Sequence, residues 1–362
     1  MKPVWNTAIK LAHNLSRGSA HQCPQFPRNF PVHDSFFPCD WRSTVPPSCN
    51  HRLRAQLSCS GSSVDILYEW VSADTPPAAY SFSDECLRRV TKERCSEDKD
   101  LIPKLVHFVT FRGREMPFYS FLAVLSTVRF VQPCLVLFHA DSLPSGLYWD
   151  TLLRMVSNIV HVNRTAPTVI FGHKVEVVEH QADIARLEAV KTFGGLYIDT
   201  DYLVLNPIDN LRNYTVVMGN TIPNYNYANG VFMGRAGAEF FDLWYHGYRT
   251  FSDSVWGYHS TILPYELHKQ FPNVPFHAVD TFMRPYFKDI GEKFFKKLFD
   301  WEGKHGIHLY VRLFKKYFSG LMDFERQNSS LGLVSRHILF GDRQACFGGL
   351  DATNKLARME TK

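Results

Sequence analysis

Two aspartates stand two residues apart in FGGLYIDTDYLVL (193–205): Asp199 and Asp201, between one short apolar run and a second that begins at Tyr202. In an extended chain, residues i and i+2 face the same side, about 6.5–7 Å apart. Carboxylates so placed can converge on one hard divalent cation, Mn²⁺ or Mg²⁺, and leave positions open for phosphate oxygens. A cation there would neutralise charge building on a departing diphosphate. The competing reading is a strand-end turn in which Asp199 or Asp201 caps backbone N–H groups. Spacing alone is weak, because D-x-D recurs at Asp98-Lys99-Asp100, in a charged run read as a solvated surface. What separates the copies is the apolar flank of the second one. Carboxylates near a buried sheet edge are costly unless a cation or hydrogen bonds satisfy them.

The elements around this pair are legible from periodicity. In QADIARLEAVKTFGG, residues Ile184, Leu187, Val190 and Phe193 recur at a spacing of three, which predicts one apolar helical stripe. Gly194 and Gly195 can end that helix, and the chain then enters the strand LYID. The aspartates therefore fall at the carboxyl end of a strand that follows a helix, where open α/β sheets bind ligands. Upstream, LVHFVTF (105–111) and CLVLFHA (134–140) read as buried strands. Pro117 to about Val131 and GLYWDTLLRMVSNI read as helices. TVIFG and VEVVE look like short strands, as do YTVVMGN and NGVFMGR further on. AGAEFFDLWYHGYRTF predicts a helix, and HSTILPYELHKQF another interrupted at Pro264. Strands alternating with helices of these lengths predict an α/β fold with a mostly parallel sheet.

Here the residues carry a resemblance. ADIARLEAVKTFGGLYIDTDYLVLNPID (182–209) resembles the DXD sugar-binding region of glycosyltransferase family 32, a D-x-x-R helix followed by Y-G-G-x-Y-x-D-x-D, with Phe193 in place of the first Tyr. LIPKLVHFVTF, NGVFMGR and GIHLYV resemble further pieces of that family in the same order, so the likeness spans roughly residues 101–311. It implies the GT-A fold, a Rossmann-like sheet holding a nucleotide-sugar donor and Mn²⁺ (or Mg²⁺) at its strand ends. It also implies that Asp201 chelates the metal and that Asp199 reaches the ribose and the metal shell. Asp183 and Arg186 would address the donor sugar and diphosphate, and their i, i+3 spacing independently makes them helical neighbours. Tyr197, His107 and Asn229 complete the expected donor set, and His308 is the expected third metal ligand.

Each assignment has a plainer reading. Asp183 and Arg186 could be a surface ion pair. His308 could be a strand-end residue, and His107 a packed histidine with a backbone hydrogen bond. Gly230 after Asn229 reads as permitting a close backbone approach. VWGYHSTIL resembles the family's W-G-x-x-S/G-P region but lacks its Pro. RPYFKDIGEKFFKKLFDW places Phe287, Ile290, Phe294 and Leu298 on one stripe. The expectation there is a packed helix with a solvated basic face, or a face that contacts an anionic membrane.

At 362 residues the chain can bury a sizeable core, and its 45% hydrophobic, 14% aromatic and 21% charged composition is that of a globular protein. A net charge of +5 does not suggest nucleic acid. Cys23, Cys39, Cys49, Cys59, Cys86 and Cys95 precede residue 101, and Cys134 and Cys346 follow it. No spacing is C-x-x-C, which argues against a zinc ribbon. With sequons at Asn14, Asn163, Asn213 and Asn328, the cysteines favour an oxidising secretory lumen, here the Golgi. No N-terminal run reaches signal or membrane-span length, so an anchor is expected outside this sequence. Residues 1–100 read as a leader or stem, 101–350 as the catalytic domain (a nucleotide-sugar half to about 220, then an acceptor and metal-closing half), and 351–362 as a tail.

The expected activity is transfer of a hexose or N-acetylhexosamine from a nucleotide diphosphate sugar, a UDP-sugar by the resemblance, to a glycan or glycolipid hydroxyl. The resemblance implies retention, and the sequence nominates no nucleophile. The rivals are an inactive glycan-binding homologue and a D-x-D phosphohydrolase. The latter usually opens its domain with the motif and wants Thr or Val where Leu203 stands.

Overall fold

The computed structural model describes residues 51–96, 100–318 and 329–340. In chain order its strands are β1 (His51–Ser60), β2 (Ser63–Ser72), β3 (Ala79–Ser81), β4 (Leu105–Thr110), β5 (Leu135–Ala140), β6 (Ile159–Asn163), β7 (Val169–Ile170), β8 (His173–Lys174), β9 (Gly195–Ile198), β10 (Tyr202–Val204), β11 (Val216–Ile222), β12 (Asn226–Gly234), β13 (His277–Val279) and β14 (Gly306–His308). The α-helices are α1 (Glu85–Arg94), α2 (Phe118–Val131), α3 (Leu147–Met155), α4 (Val178–Phe193), α5 (Glu239–Gly247), α6 (Leu263–Gln270), α7 (Phe287–Lys293) and α8 (Ser330–Phe340).

An eight-stranded sheet runs in the order β13-β11-β12-β9-β4-β5-β6-β3. It is parallel except at β12, which runs antiparallel to both β11 and β9. β4 and β5 are buried almost throughout, as continuous apolar strands covered on both faces must be. Val106, Phe108, Leu196 and Ile198 pack on one face with Phe121 and Leu122 of α2 and Leu152 of α3. Val109, Tyr197 and Phe232 pack on the other with Ile184 and Leu187 of α4 and Phe241 and Trp244 of α5. This is the mostly parallel α/β sheet the sequence predicts, with the aspartate pair just beyond the end of β9.

The predicted stripe of α4 is buried at Ile184, Leu187, Val190 and Phe193. Gly194 (φ 70°) ends the helix, its N–H bonding Val190 O at 2.8 Å, and Gly195 has φ 100°. A Cβ on Gly195 would collide with Leu105 O, so this glycine also lets β9 lie against β4.

Other boundaries move. The helix expected to run through Ile159 ends at Met155, and Ile159–Asn163 forms β6 beside β5. The alternating branched residues of IVHVN fit a pleated strand better than a helix. VEVVE is not a strand, because its Val178 and Glu179 open α4. Pro264 does not interrupt a helix; it occupies the first turn of α6, where its missing N–H costs nothing.

The segment read as leader contains packed structure in its described part. β1 and β2 form a hairpin, and β3 joins the edge of the main sheet beside β6. Disulfides Cys59–Cys86 and Cys95–Cys134 fasten this region, the second reaching the residue just before β5. Cys23, Cys39, Cys49, Cys346, the sequons at Asn14 and Asn328 and the 351–362 tail lie outside the described residues. So do Asp98 and Lys99 of the control motif. Asp100 is no solvated charge: it pairs with buried Arg212 at 2.7 Å.

The basic C-terminal stretch gives the membrane expectation no support. Ile290 and Phe294 are buried in the core, while Lys293 pairs with Asp289, and Lys296 and Lys297 pair with Glu292. Among the described residues no helix is long and apolar enough to cross a membrane.

Candidate active site

The D-x-x-R turn of α4 faces β9 and β12, and it is buried on both counts: Asp183 is 9% and Arg186 7% exposed. The Arg186 guanidinium reaches Asp199 Oδ1 at 3.0 Å and Asp183 Oδ1 at 3.4 Å, and donates to Asn229 O at 3.0 Å. It also lies 4.5 Å over the Tyr197 ring. Asn229 Nδ2 donates to Asp183 Oδ1 at 2.6 Å. Tyr197 donates its hydroxyl to Asp199 Oδ1 at 2.5 Å. Burial pushes the Asp183 carboxyl above its usual range, with Arg186 opposing. Burial alone would lower Arg186, yet Asp199, Tyr197 and Asp183 outweigh it and hold the guanidinium firmly charged. Asp183 and Arg186 are thus no surface pair. Asn229 and Tyr197 hold their carboxylate partners in place.

The second half of the site comes from far along the chain. β10 follows the D-x-D turn and pairs antiparallel with β14, setting Tyr202 opposite His308. His308 Nε2 then lies 2.9 Å from Asp201 Oδ1 and 3.8 Å from Asp199 Oδ2. Tyr310 adopts a left-handed φ of 49° and stacks on His308 with centroids 4.1 Å apart. The Val311 N–H donates to Asp201 Oδ2 at 3.0 Å. Burial favours the neutral form of Asp201, but His308 and the Val311 N–H overcome it and lower its pKa. The reciprocal holds for His308, raised by Asp201 and Asp199 against its own burial.

Asp199, Asp201 and His308 each offer one ligand atom, all within 4.8 Å of one another. Two carboxylates and a neutral imidazole form a donor set suited to Mn²⁺. Asp183 and Asp199 share the one Arg186 guanidinium, and Asp201 adds a carboxylate beyond it, a surplus of acidic groups that attracts a cation. The space is kept by Gly230: a Cβ there would stand 2.6 Å from Asp199 Oδ2 and 3.1 Å from His308 Cε1. That close approach, together with the Asp199 N–H bonding Gly230 O at 2.8 Å, gives the Asn-Gly of β12 its role.

His107 is not part of this group. It is fully buried, with Nε2 2.8 Å from Gly194 O and Nδ1 2.9 Å from His139 Nε2. Burial pushes its pKa down to about 4, so it is a neutral packed residue, and both ring nitrogens are engaged within the protein. Sequence reasoning passed over Tyr310, Val311 and Ser260, the last a hydrogen-bond partner of Asp183. GIHLYV signalled Tyr310 and Val311 as neighbours of His308, while nothing local signalled Ser260.

Residues 138–218 match the family described as glycosyltransferase sugar-binding region containing DXD motif. The chain is 30% identical over 189 residues to glucan organizing enzyme 1 of Cryptococcus neoformans var. grubii; the match takes in 48% of this chain and 51% of that protein, so the chain spans about half the length of this curated relative. Solved structures with partial likeness include the PaToxG glycosyltransferase (15% identity, TM-score 0.36, covering 48% of this chain and 71% of that one). The glycosyltransferase GlyE of Streptococcus pneumoniae TIGR4 matches at 11% identity and TM-score 0.40, covering 71% of this chain and 63% of that one.

Proposed function

We propose that this protein is a metal-dependent glycosyltransferase that moves a hexose or N-acetylhexosamine from a nucleotide diphosphate sugar, a UDP-sugar in the first instance, to a glycan or glycolipid hydroxyl. The observation that carries the reading is the meeting of Asp199, Asp201 and His308 beside the buried Asp183–Arg186 pair at the end of β9. Asp199, Asp201 and His308 would hold Mn²⁺ or Mg²⁺, which when bound supplies positive charge to a departing diphosphate. Arg186 adds a fixed guanidinium on the donor side. Asp183, held by Asn229, offers a carboxylate oxygen to sugar hydroxyls. Tyr197 and Gly230 fix where Asp199 points. Retention of anomeric configuration rests on the family likeness, and the two disulfides support folding in an oxidising lumen such as the Golgi.

The test is nucleotide release from UDP- and GDP-sugars in Mn²⁺, compared with Asp201→Asn. Release from at least one donor, falling roughly 100-fold or more in the variant, is expected. Turnover by Asp201→Asn close to that of the unaltered protein would sink the metal assignment.

A further inference from the structure

Two of the sequons fall within the described residues, Asn163-Arg164-Thr165 and Asn213-Tyr214-Thr215, and the function proposed above uses neither. Both asparagines are exposed. They differ in which end of the sheet they occupy. β4 pairs parallel with β5 and with β9, β5 pairs parallel with β6, and β11 runs the same way as β9 because the antiparallel β12 stands between them. Asp199 follows the last residue of β9, so the candidate metal ligands lie at the carboxyl ends of these strands. Asn163 is the last residue of β6 and belongs to that same end. It stands in two ladders, opposite Ala140 of β5 and Ser81 of β3. The middle residue of its sequon, Arg164, is buried, with its guanidinium donating to Ala185 O at 3.0 Å and lying 4.0 Å over the Phe82 ring.

Asn213 lies at the opposite end. It precedes β11, whose first residue is Val216, and sits in a turn in which the Tyr214 N–H donates to Leu211 O at 3.4 Å. The residue before it anchors that turn from inside. Arg212 is 1% exposed, its Nε donates to Ile102 O at 2.9 Å, and its own carbonyl accepts the Ile102 N–H at 3.0 Å. The residue after it faces outward: Tyr214 is 42% exposed, its ring stacked on His277 of β13 with centroids 3.8 Å apart. The sequon is therefore held on a surface turn outside every strand, as a bulky and solubilising modification requires. An N-glycan is attached while the chain is still folding, so the finished fold must leave it room. The turn at Asn213 does so without reaching the carboxyl ends of the strands, where ligands of an open α/β sheet enter. A glycan on Asn163 would stand at that entrance.

We propose that Asn213 is a modification site that carries an N-linked glycan, at the end of the sheet away from the candidate metal ligands, and that Asn163 stays bare. This rests on the reading that the chain folds in a secretory lumen, where its two disulfides form. The step joins the Asn213 side-chain nitrogen to the anomeric carbon of an oligosaccharide carried on a lipid diphosphate. The C–O bond to the diphosphate breaks, the diphosphate leaves, and the amide nitrogen gives up one proton. Thr215 supplies the hydroxyl that the attaching enzyme reads two residues after the asparagine.

The experiment tags the protein at its own locus, purifies it from its own cells and treats it with a peptide N-glycosidase, which leaves an aspartate wherever a glycan was removed. Peptide mass spectrometry should find that conversion at Asn213 and not at Asn163, a reading that needs no variant and so does not depend on one folding. Asn213→Gln and Thr215→Ala should each lose one glycan's step in gel mobility, and Thr215→Ser, which keeps the hydroxyl, should retain it. Trimming the glycan from the folded protein should leave Mn²⁺ affinity unchanged, and a change would overturn its placement away from the site. Thiol alkylation of the same sample separates the two ways of failing. An unmodified Asn213, or a glycan on Asn163 in its place, in a chain whose Cys59–Cys86 and Cys95–Cys134 bonds are oxidised overturns the proposal alone. An unmodified Asn213 in a chain with those four thiols free overturns the lumenal reading, and the proposal with it.

Discussion

His107 and His308 each stand in a short strand among apolar neighbours, one on either side of the aspartate turn in sequence, and they have opposite surroundings. His107 lies inside the sheet with neutral partners, the Gly194 carbonyl and the His139 ring. If its Nε2–H donates to Gly194, its Nδ1 accepts from His139, and both rings are neutral. His308 instead faces two carboxylates, which raise its proton affinity although it too is buried. The difference lies in what each ring faces, not in how deeply it sits. A histidine closed by a carbonyl and a second imidazole ties strands together, whereas one set against converging carboxylates marks a place that wants positive charge.

Substitution sharpens that contrast. The largest effect is expected at His308: His308→Ala should weaken Mn²⁺ binding roughly 10- to 100-fold, read by titration of the metal. In the unaltered protein Mn²⁺ affinity should fall as pH drops through the raised pKa of His308, since a protonated ring cannot ligate, and the variant should flatten that dependence. His107→Leu should cost about 1–3 kcal/mol of stability by leaving the Gly194 carbonyl and His139 without a partner, while metal affinity stays unchanged. A folded pKa near 4 for His107 against 6.5 means that the unfolded chain binds more protons between those values. Stability of the unaltered protein should therefore decline as pH falls from 6.5 toward 4, and chemical denaturation of the variant should show a shallower decline. A loss of Mn²⁺ affinity in His107→Leu would break the comparison. The smallest effect is expected for Tyr197→Phe, which removes one hydrogen bond to Asp199 and should change metal affinity only a few-fold.

The legible parts of the site were those written in one stretch. α4 announces itself through Ile184, Leu187, Val190 and Phe193, the double glycine ends it, and Asp199 and Asp201 follow within six residues. Asn229 was legible as a candidate, though its bond to Asp183 was not, because that bond joins a helix to a strand 46 residues on. His107 misled because position in the first central strand says nothing about which face a ring meets. β6 was hidden because MVSNIVHVN runs helix and strand together without a glycine or proline between them. The packed part of the leader was hidden because its order depends on pairing with β6 and on disulfides, both long-range.

The pairing of β10 with β14 has a mechanical consequence. Two strands of three residues bring Asp201 and His308 together across 107 positions of chain, so the three candidate ligands meet only when the C-terminal segment is docked. An ion held by both sides would act as a clasp, and its affinity would include the free energy of closing that long loop. Anything that loosens the packing of Ile290, Phe294 or Trp301 beneath the segment would thereby be felt as weaker metal binding, without touching a ligand.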